Sequence, residues 1–149
     1  MNTVAKDILD KLKTAGVIDA IGDPSDTSKW GGFDKREPEA PDRAITIYAN
    51  GGPAPWYTFG FRSQKYTRPT FQVRIRGNRK DSLDAYEKAL EVETELDHCP
   101  AFTGAGAGVS DSEASYSTIL QTSEILPLEI DDNNRHVFVL NFMAFRKSK

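Results

Sequence analysis

The chain has 149 residues and a formal net charge of −3, with 38% hydrophobic, 28% charged and 10% aromatic residues. This length is typical of one domain, and the aromatic content favours one compact core over a disordered chain. No apolar stretch approaches the roughly 20 residues of a membrane span, the charged N-terminus differs from a signal peptide, and a single cysteine excludes an internal disulfide framework.

The charges are distributed unevenly along the chain. Residues 43–80 contain eight basic and no acidic residues, whereas residues 81–149 contain five basic and thirteen acidic residues. Residues 1–42 hold six basic and nine acidic residues. This segregation favours either a solvated basic face or a contact between a basic and an acidic surface.

The first predicted element is an amphipathic helix over residues 3–15, because Val4, Ile8 and Leu12 align on one face. Residues 22–42 contain several glycines and prolines and are predicted to be irregular. The β-branched run that follows predicts a strand over residues 43–48.

A long connection covers residues 49–69. Connections of this length without secondary structure of their own are uncommon in compact domains and are often functional. The segment is also too aromatic for a solvated linker. The sequence therefore predicts a long protruding loop or hairpin here, with residues 56–61 as one arm.

The clearest predicted strand is residues 70–76, in which apolar and polar side chains alternate. A second helix follows, from Asp81 or Ser82 to about Asp97. A helix of this length after a strand indicates a crossover back onto the same sheet. Its predicted buried stripe is Leu83, Tyr86, Ala89, Leu90 and Leu96.

Three more strands are predicted over residues 115–123, 126–130 and 136–145, with an Asx-rich turn at residues 131–134. Residues 136–145 are apolar on both faces, which indicates a central strand. The predicted fold class is α+β: a single domain whose mixed, mostly antiparallel sheet carries two helices packed on one face.

The sequence offers no convincing catalytic, cofactor-binding or metal-binding motif. His98 and Cys99 end a helix, where sequence neighbours rarely present their side chains to one another as base and nucleophile. His136 has no partner at metal-ligand spacing. Residues 104–108 lack the glycine spacing of a nucleotide-binding loop, and residues 131–134 lack that of a calcium loop. We therefore expect no enzyme, no cofactor and no metal.

The basic, aromatic stretch is the candidate binding surface. Cations among aromatic rings suit single-stranded nucleic acid, and they suit a protein interface equally well. The overall acidic composition counts against a dedicated nucleic-acid binder. An acidic surface on a neighbouring copy would be a matching partner. The predicted interface residues are Trp56, Tyr57, Phe59, Phe61, Arg62, Lys65, Tyr66, Arg74, Arg76, Asp131 and Asp132.

Three segments together show a recognisable order. Residues 44–52 are a strand ending in a double-glycine turn, residues 71–77 lead into the second helix, and residues 127–142 carry an acidic turn followed by an apolar strand. This order resembles the tail terminator proteins of long-tailed bacteriophages, which are also called minor capsid or tail completion proteins. The resemblance covers residues 1–20 and 43–145.

The resemblance implies one structural domain over residues 1–149 that forms a homo-oligomeric, hexameric ring on the tail tube. Such a ring stops tube polymerisation and provides the surface for head–tail joining. Its partners would be the tail tube protein and a head completion or connector protein, and DNA would pass through it without sequence-specific binding. The implied location is the head–tail junction, or neck, of the virion, after assembly in the bacterial host cytoplasm and without a membrane.

Two alternatives stay open. One is a head–tail connector adaptor or head completion protein at the neighbouring level of the neck. The other is a small nucleic-acid-binding regulator that uses the same basic stretch. If Arg74 and Arg76 contact a neighbouring copy, glutamate at both positions should leave a folded monomer that cannot assemble.

Overall fold

The computed structural model describes residues 4–57, 65–104, 114–128 and 130–148. It contains two helices, α1 (Val4–Thr14) and α2 (Ser82–Leu96). The strands are β1 (Ala20–Ile21), β2 (Gly31–Asp34), β3 (Ala44–Gly51), β4 (Trp56–Tyr57), β5 (Lys65–Thr67), β6 (Thr70–Arg76), β7 (Phe102–Thr103), β8 (Ser115–Gln121), β9 (Leu126–Pro127) and β10 (Val137–Ser148). The fold is α+β, as predicted.

Strand β10 lies in the centre of the sheet. It pairs antiparallel with β6 and then β5 along one edge, and with β9 and then β8 along the other. Phe142 takes part in both ladders, opposite Phe71 on one side and Gln121 on the other. The central position predicted for residues 136–145 is therefore confirmed.

The order of strands also confirms the crossover predicted for the second helix. Both β6 and β8 run antiparallel to β10, so they are parallel to each other with β10 between them. Helix α2 connects them and contacts β6, β8 and β10. Asp81 caps the start of this helix by accepting a hydrogen bond from the Leu83 amide at 2.9 Å.

One face of the central strands forms the core. Ile45, Ile75 and Leu140 are buried on adjacent strands, and the Phe71 and Phe142 rings stack at a centroid distance of 5.4 Å. Helix α1 adds Ile8, Leu9 and Leu12 to the same cluster. The apolar stripe predicted for the first helix therefore lies in the core.

The predicted buried stripe of α2 is wrong for three of its five members and correct for Ala89 and Leu96. Leu83, Tyr86 and Leu90 are exposed, and the buried residues are Ala85, Ala89, Val92 and Leu96. The helix lies so close to the end of β6 that a Cβ on Gly77 would be 2.7 Å from the Ala85 Cβ. Small residues fit this narrow gap, so the alanine face turns inward and the large apolar side chains turn outward.

Residues 22–42, expected to be irregular, contain a strand. β2 runs parallel between β1 and β3, which makes the sheet mixed. Its two glycines permit close packing, because a Cβ on Gly32 would lie 2.6 Å from Ile18 and 2.7 Å from Leu9. These glycines thus serve a tight strand contact, whereas the sequence pattern alone is typical of a loop.

A buried polar contact joins α1 to β8. The Tyr116 hydroxyl donates a hydrogen bond to Asp7 Oδ2 at 2.6 Å, and both residues are buried. Arg146 Nη2 lies 4.0 Å from the same oxygen. Burial, followed by the hydrogen bond to Asp7, raises the pKa of Tyr116 above its ordinary value.

We expect Tyr116→Phe to lower the free energy of unfolding at pH 7 by about 1–3 kcal/mol, because the buried Asp7 carboxyl group loses this hydrogen-bond donor. The raised pKa means that the wild-type contribution is complete below about pH 10 and declines as the pH rises further. Urea denaturation should therefore show a smaller difference between the two proteins above pH 10. Tyr57→Phe, at an exposed tyrosine, is the control and should unfold like wild type. A Tyr116→Phe protein as stable as wild type at pH 7 would contradict this account.

Candidate subunit interface

The strands β4 and β5, here called the arm, continue the ladder formed by β3 and β6. Trp56 pairs with Tyr66 and Tyr57 pairs with Lys65. The two ladders meet near Gly52, where the Arg68 carbonyl approaches so closely that a Cβ would lie 2.1 Å from its oxygen. β5 also pairs with residues Arg146–Ser148 of β10, so the arm is attached to the end of the central strand.

The arm presents aromatic rings to solvent. Trp56 and Tyr57 are each 60% exposed, and Tyr66 is also exposed. The Arg68 guanidinium lies 4.0 Å from the centroid of the Trp56 ring, and Lys147 Nζ lies 5.7 Å from that of Tyr66. Cation–π contacts and strand pairing thus position these rings without burying them. Exposed, positioned aromatic residues beside arginine are typical of interface anchors.

An apolar groove of about 370 Å³ begins at the arm and crosses the sheet. It is lined by Trp56, Tyr66, Thr67, Arg68, Ser117, Thr118, Leu120, Phe145 and Arg146. A groove of this kind can accept an apolar side chain from a partner. Through the pairing of β4 with β5, the structure brings together four of the predicted interface residues: Trp56, Tyr57, Lys65 and Tyr66.

Three predicted residues of the same stretch, Phe59, Phe61 and Arg62, lie outside the described residues. Asp132 lies exposed in the turn that precedes β10.

The predicted interface residues Arg74, Arg76 and Asp131 lie away from the arm, in an ion cluster within the subunit. Arg76 is only 4% exposed, and its guanidinium donates to the carbonyl oxygens of Pro41 at 2.8 Å and Asp42 at 3.2 Å. Glu37 lies 3.3 Å from Arg74 Nε and 3.5 Å from Arg76 Nη1. Arg74 and Arg76 therefore fasten residues 37–42 to the sheet.

Arg135 completes this cluster, although no sequence pattern pointed to it. It is 4% exposed and donates to Asp131 Oδ2 at 2.7 Å and to Asp42 Oδ1 at 3.0 Å. Burial raises the pKa of Asp131, but the hydrogen bonds from Arg135 outweigh it and hold that pKa below its ordinary value. Burial, together with the charge of Arg135, lowers the pKa of Arg76, which the surrounding carboxylates partly offset.

The basic charge of residues 43–80 is partly neutralised inside the subunit. Arg43 Nε lies 2.8 Å from Asp84, and Arg79 Nε lies 3.3 Å from Asp42. With Arg74 and Arg76, half of the eight basic residues in this stretch pair with carboxylates of the same chain. Lys65 in β5 and Arg68 directly after β5 form no ion pair with any described residue.

A second exposed apolar surface lies on α2. Leu83, Tyr86 and Leu90 form a row along its outer side that we call the α2 ridge, with Glu87 and Glu91 beside it. The Tyr86 ring packs on Phe138 at a centroid distance of 5.5 Å, which fixes the ridge to the sheet. The sequence carried a signal for this surface, since α2 has two regular apolar stripes and only one can face the core.

The described residues contain no cluster of three His, Cys, Asp or Glu side chains suited to a metal ion. Within the same ranges, no helix is long and apolar enough to cross a membrane. Cys99 is buried, and burial raises the pKa of its thiol, which opposes nucleophilic use. His98 instead faces Asp97, with Nδ1 2.9 Å from Oδ2.

Comparison with protein families identifies the chain. A family model described as bacteriophage tail terminator protein matches residues 11–145, a range that includes the arm, the ion cluster and the α2 ridge. The chain belongs to the bacteriophage tail terminator family. The resemblance noted in the sequence is thus confirmed, and the terminator is a structural component of a phage virion. A search of curated proteins found no match.

The ion cluster changes what glutamate substitutions in this terminator should do. We expect Arg76→Glu to lower the free energy of unfolding by about 3–5 kcal/mol, because it removes a buried cation and places a carboxylate in the same buried position beside Glu37. Arg74 is more exposed, so Arg74→Glu should cost only about 1 kcal/mol. Urea denaturation of both variants measures the difference. Equal midpoints for the two variants would show that Arg76 has no special structural role.

Proposed function

We propose that this terminator forms a ring, hexameric as in the resemblance, that caps the tail tube and stops its polymerisation. The ring also provides the surface on which a head completion or connector protein joins the head to the tail. The observation that carries the proposal is the arm. Its aromatic rings are held in place but remain exposed, and no contact with the described part of the subunit buries them.

In this proposal the two helices cover one face of the sheet, and the arm extends from its end as part of a protruding hairpin. The contacts of Asp7 with Tyr116 and of Tyr86 with Phe138 support the placement of the helices. The aromatic arm then reaches beyond the subunit toward a neighbour. A contact between two different surfaces, repeated around an axis, closes into a ring when the rotation between copies divides a full turn.

The ring would lie at the neck of the virion, around the path of the DNA. The DNA would pass through the ring without sequence-specific binding. The protein would act by shape and contact alone, without catalysis or a cofactor. A connector adaptor at the neighbouring level of the neck is the alternative within structural proteins. Nucleic-acid binding by the free subunit would use the same rings and cations, and strong salt dependence of such binding would reveal it.

The arm is tested by the double variant Trp56→Ala/Tyr57→Ala. Both side chains are largely exposed, so the variant should fold, while its dissociation constant for tube ends should rise about 30-fold or more if the rings act as anchors. Electron microscopy of tail tubes from the same phage, incubated with each protein, measures the fraction of capped ends and the tube lengths.

Leu126→Ala/Leu128→Ala is the matched control, because these two apolar residues are also exposed but lie on β9 and just after it. The control should cap tubes like wild type. Normal capping by Trp56→Ala/Tyr57→Ala would remove the arm from the mechanism. Failure of the wild-type protein to bind tube ends would contradict the proposed function itself.

A further inference from the structure

We infer that the arm of one copy docks on the α2 ridge of the next copy. The inference rests on the proposed ring and specifies the two surfaces that meet in it. Two features carry it: the surfaces match in chemistry, and they lie too far apart to satisfy each other within one subunit.

The apolar parts of the two surfaces match. The arm offers Trp56 and Tyr57, while the ridge offers Leu83 and Leu90, with Leu83 61% exposed. Large apolar side chains in a row on the outside of a helix are unfavourable in an isolated subunit and mark a surface that another protein covers. Aromatic anchors set against aliphatic side chains form the usual apolar core of such an interface.

The charges match as well. Helix α2 contains five acidic residues and one basic residue, and Glu87 forms no ion pair with any described residue. Glu91 pairs with Lys88 of its own helix. The arm side carries Lys65, Arg68 and Lys147, so a basic rim would meet an acidic one.

The two surfaces lie at opposite ends of β10. The arm pairs with Arg146–Ser148, whereas Tyr86 of the ridge packs on Phe138. The nine residue steps from Phe138 to Lys147 span about 30 Å of extended strand. One copy therefore cannot close the contact on itself, and a second copy of this chain is the occupant that its charges fit. Such a head-to-tail contact can repeat around a ring.

Another exposed apolar group among the described residues, Leu126, Leu128 and Ile130, fits the arm less well. The adjacent carboxylate of Asp131 is already bound to Arg135 at 2.7 Å. This surface therefore serves as the comparison site.

Disulfide trapping tests the pairing. The single variants Tyr57→Cys and Leu90→Cys place thiols at exposed positions, while the native Cys99 is buried. The two full-length variants are mixed, oxidised both free in solution and bound to tail tubes of the same phage, and analysed on non-reducing gels. We expect dimers from the mixture and monomers from either variant alone. The yield should exceed that of Tyr57→Cys mixed with Leu126→Cys by about tenfold or more, because docking raises the effective thiol concentration.

Three results would overturn the inference: no product from the mixture in either state, a product from Tyr57→Cys alone, or an equal yield with Leu126→Cys. Capping of tubes by the same variants under reducing conditions distinguishes a failure of the inferred docking from a failure of the proposed capping function. Tubes that are capped without a 57–90 product contradict the inference and leave the proposed function standing. Tubes that wild-type protein leaves uncapped contradict the proposed function.

Discussion

The pairing of β10 along both of its edges is the constraint on which the rest of this terminator depends. The strand holds β6 and β5 on one side and β9 and β8 on the other. Its first half supports the α2 ridge through Phe138, and its last residues hold the arm. Because one strand carries both surfaces, their separation and relative direction are set by the sheet and not by a loop. A subunit that joins its neighbours in a fixed geometry requires such a rigid connection.

The charges of the chain serve this geometry in two ways. Arg76 and Arg135 are buried and pair with the partly exposed carboxylates of Glu37, Asp42 and Asp131, so they fasten the segment before β3 to the sheet. Burying these two cations costs desolvation, which the paired carboxylates and the backbone carbonyl oxygens offset. The cations near the arm remain at the surface, where they add little to stability but can direct association with an acidic partner. Half of the basic residues in 43–80 are therefore paired within the subunit, and Lys65 and Arg68 at or beside the arm form no ion pair with any described residue.

The sequence predicted the strands whose side chains alternate or are apolar throughout. Thr70–Arg76 was predicted with its observed bounds, and the central strand was recognised from its two apolar faces. Strand β2 was missed because glycine has low strand propensity, and the role of Gly32 depends on its contacts with Leu9 and Ile18, which are outside the local pattern. Arg76 was assigned to a partner because a sequence pattern cannot show that residues 37–42 fold over it.

Helix α2 shows why the site was only partly predictable. Both of its apolar stripes have helical spacing. The narrow space between Gly77 and Ala85 admits only small side chains, and this decides which stripe faces inward. Local periodicity contains no information on that distance, so the larger side chains were assigned to the core. The outcome is informative for function, since a helix that turns alanines inward and leucines outward keeps apolar surface available for another molecule.

Hydroxyl-radical footprinting of the free protein and of the tube-bound assembly tests the central claim most directly, because it reads side-chain exposure at both surfaces in one sample. The account predicts that Trp56 and Tyr57 lose reactivity together with Tyr86 and Leu90 on assembly, while Leu126 stays reactive. Protection of the arm with unchanged reactivity at Tyr86 and Leu90 would contradict it.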